Sequence, residues 1–127
     1  MAHEILNLTS VHPTRGYSHA AKAGNTLFIA GQIAQDQGGG LVGKGDMAAQ
    51  TRQVFSNLRN ILDEAGGSLA NIVKMTTLIT HFANIDAYRT VRNEFLSDPM
   101  PPNTLMVIDS LASPDFLIEV EAIAVLD

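Results

Sequence analysis

Two glutamates, Glu119 and Glu121, interrupt the apolar segment FLIEVEAIAVL at 116–126. Alternate residues of a β-strand lie on one side, roughly 6.5–7 Å apart, so both carboxylates would share a face with apolar residues such as Ile123. A carboxylate on a buried or subunit-contacting surface needs a bonding partner or a raised pKa. Either one or both glutamates are structural, bonded to a backbone donor or to an arginine across a subunit boundary, or desolvation makes one of them a general acid/base for water.

Three other residues are candidates with two interpretations each. Gly31 lies near the end of an apolar, β-prone segment, where a missing side chain permits either close approach of a ligand or a bulge. Tyr17 would either donate a hydrogen bond or fill the core. Arg89 is predicted to lie on a helix, where its guanidinium would be either solvated or turned toward a cleft to bind an anion.

Metal and cofactor chemistry has little support in the sequence. The histidines show no ligand spacing, and no metal site is expected from His3, His12, His19 and His81. The glycine-rich stretch 38–45 lacks the Gly-Lys-Ser/Thr ending of a phosphate loop. Cysteine is absent, which excludes disulfides, a thiol nucleophile and zinc–thiolate sites. The residues therefore predict neither a metal site nor a phosphate loop.

Composition predicts one domain, residues 1–127. The chain has 127 residues, of which 46% are hydrophobic, which is enough for a single modest core. The net charge of -5 gives no general attraction to phosphate, so nucleic acid is not an expected partner. The first ten residues lack the basic start and apolar run of a signal peptide, and no stretch approaches 18 apolar residues. A cytoplasmic protein without membrane association is expected.

The elements that must position these residues follow the order β-β-α-β-α-β-β, with a possible additional strand at 4–9. Strands are predicted at 17–22, 25–33, 72–80, 103–108 and 116–126. The first helix should begin at the N-cap Asp46 and stop at Gly66, and the second should start near 84–86 and end before the prolines at 99–102.

Two helices can cover only one face of such a sheet, and the strands carry apolar residues on both sides. The uncovered face is therefore predicted to contact another subunit.

Five groups of residues, spread in order from about Gly16 to Val125, form a further pattern. They are GYSHA at 16–20, AGN at 23–25 with AGQI at 30–33, QTRQV at 50–54 with NL at 57–58, IVKMT at 72–76, and IEVEAIA at 118–124. Together they resemble the Rid/YjgF family of reactive-intermediate deaminases, whose members are also described as endoribonuclease L-PSP.

The resemblance implies a chorismate-mutase-like α+β fold: a mixed sheet with two helices on one face, assembled as a homotrimer with ligand clefts between subunits. It also implies hydrolysis of small enamines and imines to keto acids and ammonia, with no metal or organic cofactor. Carried over by motif, Glu119 would position the water, Gly31 would offer backbone groups, and Tyr17 would supply an aromatic contact.

One family motif is altered in this sequence. The family's Pro-x-Arg-[Ser/Thr], whose arginine binds the substrate carboxylate, appears here as Pro101-Pro102-Asn103-Thr104. An ionic, forked contact is about twice as strong as a neutral hydrogen bond, so binding of small imino acids should weaken. Asn103 and Thr104 are still expected at the substrate, and Arg89 is hypothesised to supply the missing cation.

Two classes of function remain open. The first is a divergent imine or enamine hydrolase acting on a small reactive metabolite. The second is a non-catalytic homologue that binds a small metabolite or a protein partner, as the missing arginine would favour. An endoribonuclease is disfavoured because the chain is acidic and has no evident histidine pair or basic stripe.

Overall fold

The computed structural model describes residues 2–127 and shows a six-stranded sheet with two α-helices on one face. The strands are β1 (Glu4–Ile5), β2 (Ala20–Ala23), β3 (Thr26–Gln32), β4 (Ile72–Ile79), β5 (Asn103–Val107) and β6 (Ile118–Val125). The helices are α1 (Met47–Glu64) and α2 (Ile85–Phe95). Short 3-10 turns at Leu69–Asn71 and Phe82–Asn84 precede β4 and α2. The α+β fold class and the predicted order of elements are confirmed, and the additional N-terminal strand is present but covers only Glu4–Ile5 of the predicted 4–9.

The strands follow the order β1-β2-β3-β6-β4-β5, so the C-terminal strand β6 lies in the middle of the sheet. The pair β4–β5 is parallel and the other pairs are antiparallel. Glu119 on β6 pairs with Leu78 of β4, and Val120 pairs with Gln32 of β3. The two glutamates identified in the sequence therefore lie on a central strand.

Helix α1 begins and ends where the sequence predicts. The Ala49 amide donates to Asp46 Oδ1 at 3.1 Å, which satisfies one of the free N–H groups of the first turn. After the helix, Gly66 has a φ of +88°, a conformation that glycine adopts without steric cost. This helix covers the core.

The core lies between the helices and one face of the sheet. Alternate strand residues point toward the helices and are fully or almost fully buried, among them Leu27, Ile29, Met75, Ile79, Ile118 and Val120. The helices contribute Phe55, Leu58, Ile61, Leu62 and Tyr88 to the same cluster. No helix within residues 2–127 has the length and hydropathy to cross a membrane.

The opposite face of the sheet, here called the open face, has no helix over it. Large apolar side chains there remain close to half exposed, namely Phe28, Val73, Met106 and Val125. The sequence prediction that the strands are apolar on both sides is confirmed.

The first hairpin is shorter than predicted at its N-terminal end. Its ladder runs from Ala23–Thr26 to Ala20–Ile29, so β2 starts at Ala20 rather than at residue 17. The chain turns immediately before this strand, where Gly16 has a φ of +81°. Tyr17 therefore lies in a loop rather than in a strand.

Candidate functional site

A bulge interrupts the pairing of β3 with the central strand β6. Ile29 pairs with Ala122, but Gln32 pairs with Val120, so three steps along β3 match only two along β6. Such a bulge bends the strand and redirects its side chains. The bulge contains Gly31.

The side chain of Glu119 lies directly over Gly31. A Cβ atom placed on Gly31 would be 2.6 Å from Glu119 Cδ and 2.7 Å from Cγ, and would overlap Oε2. The space left by the missing side chain is thus occupied by a carboxylate. Gly31 therefore lies in a bulge, and the group that approaches it closely is Glu119, whereas the approach of a ligand to its backbone stays a prediction.

Tyr17 belongs to the same site. Its pKa is raised above the ordinary value by burial and, secondly, by the negative charge of Glu119. The ring is about half exposed and meets the ring of His19 edge-on, with centroids 6.2 Å apart. At neutral pH the phenol keeps its proton and is able to donate a hydrogen bond to a bound molecule.

The surroundings of Glu119 raise the pKa of its carboxyl group. Burial raises its pKa above the ordinary value, and the charge of Glu121 on the same face raises it further. Among the hydrogen bonds and ion pairs found within residues 2–127, none involves this carboxylate. Within the described residues this carboxylate is therefore partly desolvated and has no bonded partner.

This raised pKa has a consequence for stability that can be measured. Because the folded state binds the Glu119 proton more tightly than the unfolded chain, stability falls as pH rises from the ordinary glutamate pKa, about 4.3, through the raised value. A Glu119→Gln variant removes the charge, so it should unfold at higher urea concentration than wild type at neutral pH. The two proteins should converge in acid, where the wild-type carboxyl is neutral.

Urea titrations from acid to neutral pH would measure this difference, with Glu121→Gln as the matched control. Glu121 is exposed, so its variant should retain most of the wild-type pH dependence. Equal free energies of unfolding for Glu119→Gln and wild type at every pH would show that the carboxylate is not desolvated.

A groove of about 380 Å³ crosses the open face next to this site. Its lining combines Glu121 and Lys74 with apolar residues that include Phe28 and Ile123. Lys74 Nζ donates to Thr104 Oγ1 at 2.9 Å. Thr104 is thereby placed on the open face, on the same side of the sheet as Glu119.

Two other candidate residues lie elsewhere within the chain. Asn103 Oδ1 accepts a hydrogen bond from the buried Thr77 hydroxyl at 2.8 Å, and that hydroxyl lies 3.3 Å from Tyr88 on α2. Arg89 on α2 is exposed and lies 3.7 Å from Asp86. Both candidates are therefore on the helix side of the sheet, and the structure does not bring them to Glu119 within one subunit.

Residues of the QTRQV and NL segments hold the surrounding loops in place. Gln50 Oε1 accepts from the Leu117 amide at 2.8 Å, and its Nε2 donates to Asp115 O at 2.8 Å, which fixes the start of β6. Asn57 Nδ2 donates to Ile33 O and Gln35 O, both at 3.0 Å, which fixes the end of β3. These two buried amides anchor the two strands that carry the site.

Sequence reasoning missed two further residues, His19 and Gln32. Both are buried, with 6% and 0% exposure, and both bond around the Gly31 bulge. Gln32 is a polar residue inside an apolar strand segment, which is the same kind of signal that identified Glu119.

Fold and site together define a small α+β protein with a desolvated carboxylate at the centre of a mixed sheet, seated on a glycine bulge. A family model described as Endoribonuclease L-PSP matches residues 8–126. The chain belongs to this family, the Rid/YjgF family indicated by its sequence motifs.

Individual relatives agree over nearly the full length. A RutC family protein of Pyrococcus horikoshii is 39% identical over 124 residues, 98% of each chain. The 3-aminoacrylate deaminase RutC of Acinetobacter baylyi is 32% identical over 112 residues, 88% of each chain. The crystal structure of RidA from an Antarctic Psychrobacter species has a TM-score of 0.87 and 30% identity, covering 96% of this chain and 98% of that one. The family therefore includes proteins named as deaminases of small unsaturated amino compounds.

Proposed function

We propose that the protein hydrolyses a small imine or enamine to a keto product and ammonia, with Glu119 positioning and activating the water. The observation that carries this proposal is the unpaired Glu119 carboxylate, with a raised pKa, over Gly31 and beside Tyr17. A base whose pKa is moved toward neutral pH is suited to taking a proton from water and returning it. A relative named as a 3-aminoacrylate deaminase supports this class of reaction.

The proposed reaction needs only groups of this chain and water. Glu119 takes a proton from water while the water oxygen forms a bond to the carbon of the protonated C=N group, whose π electrons move to nitrogen, which gives a neutral tetrahedral aminol. The carboxyl then returns its proton to the amino nitrogen, and the C–N bond breaks with its electron pair leaving on ammonia. The Glu119 carboxylate accepts the hydroxyl proton as the carbonyl forms. Tyr17 donates a hydrogen bond that helps to orient the substrate. An enamine enters the same route after it tautomerises to the imine.

We further propose that the protein works as a homotrimer in which the open face is covered by neighbouring copies. The half-exposed apolar residues of this face, such as Phe28 and Met106, support this assembly. In that assembly Asn103 and Arg89 contact the substrate only if they come from a different subunit than Glu119. The proposed site is an inter-subunit cleft for a small molecule, with Thr104 also close to it.

A non-catalytic binding protein is the second candidate, and the neutral Asn103 favours it. Release of ammonia and keto acid from imines generated in situ by an amino-acid oxidase separates the two, with wild type compared with Asn103→Arg. Wild-type turnover supports the hydrolase. If wild type releases no ammonia but the Asn103→Arg variant does, the wild-type protein is a binding protein whose fold can still support the reaction.

The same assay tests whether Arg89 supplies the positive charge that binds the substrate carboxylate. If Arg89 binds the substrate carboxylate, Arg89→Ala should raise KM while Asn103→Ala leaves it nearly unchanged. The reverse result would assign the substrate contact to Asn103.

A further inference from the structure

The bulge that carries Gly31 is bonded from one side by a buried polar pair, Gln32 and His19. Gln32 is 0% exposed and His19 is 6% exposed. Gln32 Nε2 lies 3.1 Å from Ala30 O and 3.1 Å from His19 Nδ1. The Ala30 amide in turn donates to the His19 backbone carbonyl at 2.8 Å. Both residues thus bond to the bulged segment itself.

These contacts fix the protonation pattern of the pair. His19 Nε2 lies 2.7 Å from the backbone carbonyl of His12, which can only accept, so Nε2 carries the proton. Nδ1 of the neutral ring is then an acceptor for one N–H of Gln32, and the second N–H of that amide donates to Ala30 O. Turning the amide over would place two oxygens face to face and remove both bonds.

The arrangement costs stability, which argues against a purely structural role. Gln32 Oε1 is buried and has no hydrogen-bond partner within residues 2–127. A buried acceptor without a partner destabilises the folded state. An apolar side chain of similar size would avoid this cost but could not hold the Ala30 carbonyl.

The same pair also reaches the aromatic side of the site. His19 contacts the Tyr17 ring edge-on. The hydrogen-bonded pair of Gln32 and His19 therefore contacts both the backbone of the bulge and the Tyr17 ring.

We propose that Gln32 and His19 are positioning residues, which hold the Gly31 bulge in the arrangement that lets Glu119 lie over Gly31. Their effect on turnover rests on the proposed function, whereas their effect on the bulge does not. The bond from Gln32 to His19 Nδ1 is the link on which the arrangement depends.

Two substitutions at His19 separate its two ring contacts. In His19→Asn, the side-chain oxygen takes the place of Nδ1 and keeps the bond to Gln32. In His19→Gln, the side-chain nitrogen takes the place of Nε2 and keeps the bond to the His12 carbonyl. Both variants lose the imidazole ring, so each is the control for the other in stability.

The asparagine variant should keep kcat within about threefold of wild type, because the bulge stays bonded. The glutamine variant should lose about tenfold or more in kcat, since small displacements at a reacting centre have large effects. Gln32→Met, which cannot donate, should behave like His19→Gln. The proposal would be overturned if His19→Asn and His19→Gln lost kcat equally and in proportion to their loss of stability in urea.

Amide NMR spectra test the bulge without any turnover. The Ala30 and Gly31 resonances should stay near their wild-type positions in His19→Asn and move in His19→Gln. Resonances that move equally in both variants, or in neither, would overturn the positioning role. If wild type shows no turnover at all, the hydrolase proposal fails, and these spectra still decide whether the pair holds the bulge.

Discussion

A Glu119→Gln variant is expected to lose at least about 100-fold in kcat/KM for imine hydrolysis, the usual range for removing a general base. Glutamine has nearly the same shape and can occupy the space over Gly31, but it cannot take a proton from water. The measurement is the rate of ammonia release from an imine generated in situ, at several imine concentrations. In wild type the rate should also fall as pH drops through the raised pKa of Glu119, because only the carboxylate is a base.

Glu121→Gln is the matched control, since it removes an equal charge two residues away on the same strand face. It should keep most of the activity. Its acid limb should shift to lower pH, because the charge of Glu121 helps to raise the pKa of Glu119. Equal losses of activity in Glu119→Gln and Glu121→Gln would mean that the reaction needs negative charge on the open face rather than a base at position 119. Full activity in Glu119→Gln would remove this residue from the chemistry.

Much of the fold could be predicted from local patterns. Alternation along 116–126 placed the two glutamates on one face, and the spacing of apolar residues between Asp46 and Gly66 gave helix α1 with its cap and stop. These features depend on neighbours within a few residues, which a single sequence records directly.

The geometry of the site depends on long-range pairing, which no local pattern records. Gly31 and Glu119 are 88 residues apart, and they meet because the β3–β6 register slips by one residue at the bulge. The direction of the Asn103 side chain is likewise set by its bond to Thr77 on the neighbouring strand. The sequence therefore indicated Glu119, Gly31 and Tyr17 as candidates, but only the fold shows that they are in one place.

A Gly31→Ala variant is expected to lose activity to a similar extent, about 100-fold, because its methyl group would occupy the position of the Glu119 carboxyl. The backbone at Gly31 is not in the left-handed region, so alanine itself is tolerated there and the protein should remain folded. Glu119 would have to swing away from the bulge toward solvent. Its pKa should then fall toward the ordinary value, which a carboxyl ¹³C NMR titration can follow.

Gly38→Ala is the control for adding a methyl group to a glycine of this chain. Gly38 also lies outside the left-handed region, and a Cβ there would meet Asp36 Oδ1 only at an ordinary contact distance of 3.5 Å. This variant should match wild type in both turnover and the Glu119 titration. If Gly31→Ala kept full activity while the pKa of Glu119 fell, catalysis would not require the Glu119 carboxyl group to lie against Gly31. Loss of activity together with the lowered pKa would instead tie the chemistry to the Gly31 bulge, which leaves room for a desolvated carboxylate.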